Sequence, residues 1–252
     1  MKSRIHSEQF YFDSKVRSKN SDQNYYVFGV MDLVFNRFMD HIGNIDNKTV
    51  LEVGCGTGWL TKLLLRKNPK LIAFDVSFES ARMTMKKVKP LLGEEFLDDL
   101  LICKMNAESL GLKEEKFDIV VCWAIIHHTD IESTCDEIHR VLKKGGKAIM
   151  VEPLGHNLFI NIYRKLTPNK RTYDEKPLKL GDLRVFRRKF RCFDQEEFYF
   201  LSLLSFFWYF IFRSKRLFLI SQKILHKLDQ RLFNFLPFIR KYCWYSIIIL
   251  KK

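Results

Sequence analysis

Paired cysteines are missing from this sequence, although six cysteines are spread along its 252 residues. No CxxC pair occurs, and most of the cysteines lie inside apolar runs. This distribution is typical of reduced core residues in an intracellular protein. The first residues, MKSRIHSEQFYFDSK, also lack the apolar stretch of a signal peptide. We therefore expect a cytoplasmic protein.

Acidic residues are scarce in the second part of the chain. Residues 1–153 carry 22 basic and 22 acidic side chains, whereas residues 154–252 carry 21 basic side chains and only 7 acidic ones. The same 99 residues contain 22 of the aromatic side chains. The whole net charge of +14 therefore comes from the second part, which predicts an anionic partner for it.

No uncharged run reaches the roughly 20 residues of a membrane-spanning helix. Residues 198–212 are uncharged but number only 15, so we predict a buried or interfacial segment there. An amphipathic helix should follow over 216–235, with an apolar stripe formed by Leu217, Ile220, Ile224, Leu225, Leu228, Leu232 and Phe235. The stripe could dock on the protein's own sheet, which is the commoner outcome, or lie peripherally on an anionic membrane.

Apolar runs alternate with helical patterns before residue 153. Buried strands are predicted at 49–53, 70–75, 100–105, 117–123 and 147–152. Helices are predicted at 25–42, 58–67, 78–92 and 130–143, the last one ended by Lys144-Gly145-Gly146. Residues 154–189 look irregular, 188–198 could form a strand near the sheet edge, and 243–252 predict a terminal strand. This alternation predicts a parallel sheet covered on both faces.

Three glycines follow the first strand in the segment VLEVGCGTGWL. Gly54, Gly56 and Gly58 lie at the carboxyl edge of the predicted sheet, where ligands bind in open parallel sheets. A dinucleotide motif would need a further glycine where Trp59 stands, and no phosphate-binding Gly-Lys-Ser/Thr occurs. The acidic residue before the glycines, Glu52, would repel pyrophosphate but suits a ligand with an amino group or a sulfonium.

Four motifs in register resemble the class I S-adenosylmethionine-dependent methyltransferases, in the broad group that includes quinone-biosynthesis enzymes. The matching stretches are VLEVGCGTG, the strand end at Asp75, Asn106-Ala107-Glu108 and FDIVVCWAIIHH. The resemblance implies S-adenosylmethionine as cofactor, with Asp75 on the ribose hydroxyls and Asn106, in place of the usual aspartate, near the adenine. The implied cofactor-binding set is Glu52, Gly54, Cys55, Gly56, Gly58, Asp75, Val76, Asn106, Ala107, Trp123 and Ala124.

The resemblance implies a Rossmann-like α/β fold. We expect seven mostly parallel strands with helices on both faces, an antiparallel last strand and a cap of helices and loops. The single domain should comprise a helical lid (1–45), a cofactor-binding core (46–153), and a basic aromatic cap region with the last two strands (154–252).

Candidates for acceptor chemistry follow the fourth and fifth strands. His127 or His128 could act as a base near neutral pH, or could instead pack or hydrogen-bond the backbone ahead of the next helix. The Glu152 carboxylate should overlook the same cleft, where it could orient the acceptor or pair with a basic residue. Further candidates for acceptor contact are Tyr25, Tyr26, His156, Arg164 and Arg171. No metal site is predicted.

These observations predict methyl transfer from S-adenosylmethionine to a small, largely apolar or lipid-like acceptor that could be anionic. Two alternatives remain open. The basic region permits an RNA acceptor, although its aromatic residues lie in apolar runs and do not alternate with the cations. The chain could also be a non-catalytic protein that keeps the cofactor fold and acts through membrane or protein contact.

Overall fold

The computed structural model of the protein describes residues 2–17, 31–91, 99–168, 172 and 175–252. Seven strands form one sheet in the order β3-β2-β1-β4-β5-β7-β6. Their bounds are Thr49–Val53 (β1), Lys70–Asp75 (β2), Leu100–Lys104 (β3), Phe117–Trp123 (β4), Leu142–Pro153 (β5), Cys192–Phe198 (β6) and Tyr245–Lys251 (β7). Strand β7 runs antiparallel to both of its neighbours, and β1 to β5 pair in parallel. The predicted Rossmann-like fold class is confirmed.

Nine helices lie in the described part of the chain. Their bounds are Lys2–Arg17 (α1), Asp32–Ile42 (α2), Trp59–Leu65 (α3), Phe78–Val88 (α4), Ile131–Val141 (α5), Leu158–Leu166 (α6), Leu180–Lys189 (α7), Phe206–Phe210 (α8) and Lys215–Phe235 (α9). Short 3₁₀ turns add Lys89–Leu91, Ile126–His128, Leu201–Ser205 and Pro237–Tyr242.

The sheet is buried between two apolar layers. Neighbouring residues of one strand point to opposite faces, so Val50 packs into one core while Leu51 packs into the other. Both side chains are fully buried. Near-continuous apolar strands are what a parallel sheet with helices on both faces requires. This arrangement leaves the carboxyl edge of the sheet, with its connecting loops, as the place for polar side chains.

The strand predictions over the first half agree closely with the structure, and one boundary prediction is wrong. Helix α5 ends at Val141, and Lys144–Gly146 lie inside β5 instead of separating helix from strand. The reason is pairing with the chain terminus: the Gly145 N–H donates to the Lys252 carbonyl, and the Lys252 N–H donates to Gly146. The part of the predicted 25–42 helix before residue 31 lies outside the described residues.

The predicted irregular segment 154–189 is wrong, because it contains two helices. Helix α6 begins after Asn157, whose side chain accepts a hydrogen bond from the Ile160 N–H at 3.0 Å. Helix α7 begins after Lys179, whose N–H donates to the Asp182 side chain at 2.7 Å. The predicted edge strand is confirmed as β6, at the end of the sheet.

Helix α9 confirms the predicted long helix, and of the two outcomes left open for its apolar stripe, most of the stripe does not dock on the protein's own sheet. The helix is buried through Phe218, Gln222, Asp229 and Phe233. The side chains of the predicted stripe at Leu217, Ile220, Ile224, Leu228 and Phe235 are exposed instead. Within the described ranges, no helix combines the length and the apolar character that crossing a membrane requires.

Candidate functional site

A cavity of about 360 Å³ opens at the carboxyl edge of the sheet. The loops after β1, β2, β3 and β4 form its floor, and helices α1 and α6 form its sides. Most of the residues named from the glycine and strand-end motifs line it, namely Glu52, Gly54, Cys55, Gly56, Asp75, Val76, Asn106, Ala107, Trp123 and Ala124. The structure therefore brings the four sequence motifs to one place.

The glycine turn after β1 presents bare backbone to this cavity. Gly54 has a φ of 75°, and a Cβ added to it would lie 2.2 Å from Cδ1 of Ile125. Gly58 does not line the cavity as predicted, because it faces α4: a Cβ added to it, at φ 83°, would lie 3.0 Å from Cγ2 of Thr84. Thr84 also donates its hydroxyl to the Gly56 carbonyl at 2.8 Å, which holds the turn against α4. Side chains at Gly54 and Gly58 are excluded both by space and by backbone conformation.

Asp75 closes the glycine turn from the end of β2. Its Oδ2 accepts from the Gly56 N–H and its Oδ1 accepts from the Ser77 N–H, each at 2.9 Å. The side chain is buried, and burial raises the pKa of Asp75 to about 6. Each carboxylate oxygen keeps a second acceptor position. The residue can therefore accept two further hydrogen bonds from neighbouring hydroxyls of a ligand.

Glu52 is buried at the adjacent strand end. Neither of its carboxylate oxygens has a hydrogen-bond partner in the part of the chain that the structure describes. Burial raises the pKa of Glu52 to about 8, the neighbouring Thr61 opposes this rise, and the nearby Asp75 adds to it. A buried carboxyl without partners is costly unless a ligand supplies a donor. The residues present therefore fit a ligand that carries an ammonium group, as S-adenosylmethionine does.

The turn after β3 is held by the N-terminal helix. The Asn106 side-chain oxygen accepts from the Glu108 N–H at 3.1 Å, and the Glu108 carboxylate accepts from the Asp130 N–H at 2.9 Å. Arg4 of α1 contacts that carboxylate with one guanidinium nitrogen and the His128 carbonyl with another. Helix α1 thereby joins the turns after β3 and β4.

Trp123 and Ala124 form the next part of the wall. Trp123 packs edge-to-face against Trp59 and Phe38, with ring centroids 5.2 Å apart in both pairs. Ala124 adopts a φ of 56° and donates its N–H to the Val151 carbonyl at 2.8 Å. A left-handed non-glycine residue is uncommon, and it turns the chain sharply at the end of β4. This turn directs the following Ile126–His128 segment across the cavity.

Glu152 corrects the predicted placement, because it lies behind the cavity wall and does not overlook the cleft. Its Oε1 accepts from the Ile125 and Ile126 N–H groups at 3.0 and 2.8 Å. Its Oε2 lies 2.6 Å from Nδ1 of His127, and its side chain is fully buried. No lysine or arginine pairs with it among the described residues. Glu152 therefore orients the loop and the imidazole.

His127 lines the cavity from this loop and is 5% exposed. Burial lowers the pKa of His127, and the adjacent His128 lowers it further, so the neutral imidazole is favoured near neutral pH. Because Nδ1 faces a carboxylate that also accepts backbone N–H groups, we assign the proton to Nδ1. Nε2 then remains as a proton acceptor.

His128 packs beside His127 and is tied to α1. Its Nδ1 lies 3.2 Å from Glu8 and 3.3 Å from the Thr172 hydroxyl. Its ring meets Phe12 edge-to-face at 5.6 Å. Interactions with His128 lower the pKa of Glu8, although burial of Glu8 opposes this change. His128 therefore contributes to the contact between α1 and the loop that follows β4.

The remaining predicted acceptor residues separate into three groups. Arg164 lines the cavity and pairs with Glu175 at 3.0 Å. His156 does not join the cavity lining, and its Nε2 accepts from the Leu180 N–H at 3.4 Å. Tyr25, Tyr26 and Arg171 lie outside the described residues. The predicted location of His156 at the rim is thus wrong, because it contacts the start of α7.

One group of side chains in the described ranges has metal-ligand chemistry. Atoms of His127, His128 and Glu175 lie within 4.8 Å of one another. Glu175 already forms an ion pair with Arg164, and a metal ion would have to compete with this guanidinium for the carboxylate. We therefore interpret the group as part of an ion-paired network.

The sequence predicted a helical lid over residues 1–45 but did not identify the residues of α1 that line the cavity. The cavity-lining residues of α1 recur at intervals of three or four positions, as Arg4 with Ile5, then Glu8, then Tyr11 with Phe12, and then Lys15. Such spacing places them on one helical face, and this periodicity was the signal available in the sequence. Their partners lie more than a hundred residues away, so the pairing itself could not be read locally.

Comparisons with known proteins agree with this geometry. A family profile described as a methyltransferase domain (type 11) matches residues 51–150. An uncharacterized methyltransferase of Schizosaccharomyces pombe is 31% identical over 108 residues, which cover 42% of this chain and 39% of that protein. The malonyl-[acyl-carrier protein] O-methyltransferase of Hamiltonella defensa is 29% identical over 111 residues, covering 44% and 40%. The chain spans half or less of the curated relatives it matches.

A solved structure extends the similarity of fold beyond the matched domain. The phosphoethanolamine N-methyltransferase 2 of Haemonchus contortus, in complex with S-adenosyl-L-methionine, superposes with a TM-score of 0.62 at 16% identity. The alignment covers 96% of this chain and 60% of that one. Residues 51–150 thus match the methyltransferase domain profile, and the solved structure shows that the similarity of fold continues over nearly the whole chain.

Proposed function

We propose that this protein binds S-adenosylmethionine in the cavity and transfers its methyl group to a small, largely apolar acceptor. The observation that carries the proposal is the pair of buried carboxyl groups, Glu52 and Asp75, on either side of a glycine turn. Bound S-adenosylmethionine supplies an electrophilic methyl group on a sulfonium centre. The side chains of this protein hold the reactants, exclude water and accept a proton.

Each part of the cofactor has a candidate partner. The unpaired Glu52 carboxyl would take the ammonium group, and Asp75 would take the ribose hydroxyls with its remaining acceptor positions. The turn at Asn106 and Ala107 would contact the adenine. Because the Asn106 oxygen already accepts from the Glu108 N–H, an adenine amine would share that oxygen.

Proton removal from the acceptor is assigned to His127. The imidazole lines the cavity, and Glu152 holds it with Nδ1 protonated and Nε2 available. A lowered pKa keeps His127 in its base form at neutral pH. Glu152 acts as a positioning residue because it lies behind the imidazole. His128 contacts Glu8 and Thr172, and we assign it a structural role in holding α1.

The chemical class of the acceptor is inferred from the cavity-lining residues that are not assigned to the cofactor. Pro153, Ile160 and Trp244 contribute apolar surface, while Arg164 and Lys15 contribute cationic side chains. Arg164 is paired with Glu175, and burial lowers the pKa of Lys15. This mixture suits an apolar body with one polar or anionic group. Relatives named for malonyl-[acyl-carrier protein] and phosphoethanolamine support an acceptor that carries such a group.

A labelled-methyl assay on small-molecule, lipid and RNA fractions of cells tests the proposal. We expect label in the small-molecule or lipid fraction with the native protein, and at least about 10²-fold slower labelling with the His127→Ala variant. Lys86→Ala, on the exposed face of α4, is the matched control and should retain activity. Label in RNA, with strongly salt-dependent binding, would support the alternative of an RNA acceptor. Cofactor binding without label in any fraction would support the non-catalytic alternative.

A further inference from the structure

Helix α9 presents an apolar face to solvent. Leu217, Ile220, Ile224 and Leu228 recur at intervals of three or four residues, and each is between 42% and 57% exposed. The preceding segment adds exposed large side chains at Phe207, Phe210, Ile211 and Phe212. A surface helix normally directs such a stripe toward its own core. A contiguous apolar surface of this kind indicates a partner.

Two polar residues of α9, Gln222 and Asp229, lie on its buried face together with Phe218 and Phe233. Asp229 is fully buried, and its carboxylate accepts from the Leu201 and Ser202 N–H groups at 2.7 and 3.1 Å and from the Ser202 hydroxyl at 2.7 Å. Gln222 is also buried. The Asp229 hydrogen bonds to the 201–205 turn, together with the buried Phe218 and Phe233, anchor α9 through this face. The apolar stripe is consequently left on the outside.

Every exposed charged side chain within residues 199–235 is basic. Asp229 is the single acidic residue after position 198 in the sequence, and its burial removes it from the surface. The exposed cations that accompany the stripe are Arg213, Lys215, Arg216, Lys223, Lys227 and Arg231. Apolar side chains flanked by lysine and arginine, with no exposed carboxylate between them, match the chemistry of an anionic lipid surface.

We propose that α9 and the 207–212 segment form a docking surface for an anionic membrane. The apolar side chains would enter the boundary between headgroups and acyl chains, while the cations would contact lipid phosphates and carboxylates. Binding would be peripheral, because no helix among the described residues is suited to span the bilayer. The surface is built from residues other than those assigned to methyl transfer, so the two proposals are independent.

Vesicle sedimentation of the full chain tests this surface. The probes are phosphatidylcholine vesicles with and without about 30% phosphatidylserine, at low and high salt. We expect the native protein to bind the anionic vesicles at least about tenfold more strongly, with much of that binding lost at high salt. Ile220→Ser/Ile224→Ser and Lys223→Glu/Lys227→Glu should each weaken the binding by at least about tenfold.

The matched control reverses the same number of charges elsewhere. Lys62→Glu/Lys86→Glu changes exposed lysines on α3 and α4, distant in the sheet order from the β6 edge. It should leave vesicle binding within about twofold of the native value, and thermal melting should show that all variants fold. Equal binding to neutral vesicles, equal losses in the control, or no vesicle binding would overturn the proposal. Concentration-dependent self-association abolished by Ile220→Ser/Ile224→Ser, without lipid binding, would assign the face to a second copy instead.

Discussion

Oε2 of Glu152 lies 2.6 Å from Nδ1 of His127, and the same carboxyl group accepts backbone N–H groups of the loop that carries the imidazole. The fifth strand thereby fixes both the position of the loop and the tautomer of its histidine. A single buried side chain links the sheet to the group that we assign as the base.

Removing the imidazole should affect turnover far more than cofactor affinity. His127→Ala is expected to lower kcat by about 10²- to 10⁴-fold and to leave the Kd for S-adenosylmethionine within about twofold. Because the pKa of His127 is lowered, the acidic limb of the native pH profile for kcat/KM should lie below pH 6.5. An unchanged kcat in this variant would remove His127 from the chemistry.

Glu152→Gln tests the positioning role separately. The glutamine amide can donate to Nδ1, which would place the histidine proton on Nε2, where the acceptor proton should go. We expect a loss of kcat comparable to that of His127→Ala, with a nearly unchanged KM for the cofactor. If kcat is retained while melting remains native-like, the tautomer argument is incorrect.

Glu52 should make stability fall as pH rises. Its pKa of about 8 in the fold exceeds the ordinary value of 4.5, so the native state holds a proton that the unfolded chain has released. The contribution of Glu52 to the free energy of unfolding is therefore fully present at low pH and is lost as pH rises toward 8. Relative to Glu52→Gln, the native protein should lose about 2 kcal/mol of unfolding free energy between pH 6 and pH 7.5. Parallel denaturation profiles for the two proteins would contradict this pKa.

Two glycines with nearly the same φ allow the cost of a steric clash to be separated from the cost of an unfavourable backbone conformation. Gly54 and Gly145 have φ values of 75° and 77°, but an added Cβ meets Ile125 only at Gly54 and open space at Gly145. Gly145→Ala should cost about 1 kcal/mol, from conformation alone. Gly54→Ala should cost at least about 1 kcal/mol more because of the clash. Chemical denaturation measures the difference, and equal costs would show that Ile125 moves freely.

Arg4 should secure α1 over the cavity. It contacts the buried Glu108, whereas the matched pair between Arg17 and Glu79 joins an arginine that is 69% exposed. Arg4→Ala is expected to cost about 1–3 kcal/mol in the docking of α1, and Arg17→Ala at most about 1 kcal/mol. Hydrogen exchange of α1 amides should report the difference. Similar exchange in both variants would mean that other contacts hold the helix.

The central sheet could be predicted because its strands are short apolar runs with a glycine motif at one end. Residues 49–53, 70–75 and 117–123 have the same bounds in sequence and structure. Helix α7 was missed because its charged residues obscure a narrow apolar face. That reason does not apply to α6, whose exposed side chains are mainly apolar. The sequence left open whether the α9 stripe docks on the sheet, because a period of 3.6 locates a stripe without saying which way it points.

Within the candidate site, local sequence identified the residues at strand ends but not their partners. Asp75 and Glu52 follow from the motif, since each stands beside the glycine turn. The direction of the Glu152 side chain depends on its hydrogen bonds with residues 125–127, which follow β4, whereas Glu152 lies in β5. The contact between Arg4 and Glu108 spans 104 positions and depends on how α1 packs. Such long-range pairs are set by the assembled fold.

Calorimetric titration with S-adenosylmethionine and with S-adenosylhomocysteine tests the central claim most directly. The native protein should bind one equivalent of each, and Asp75→Ala should weaken binding by at least about fivefold, the equivalent of about 1 kcal/mol for lost hydrogen bonds. Lys86→Ala should bind as the native protein does. Absence of binding to folded native protein, or unchanged affinity in Asp75→Ala, would contradict the account.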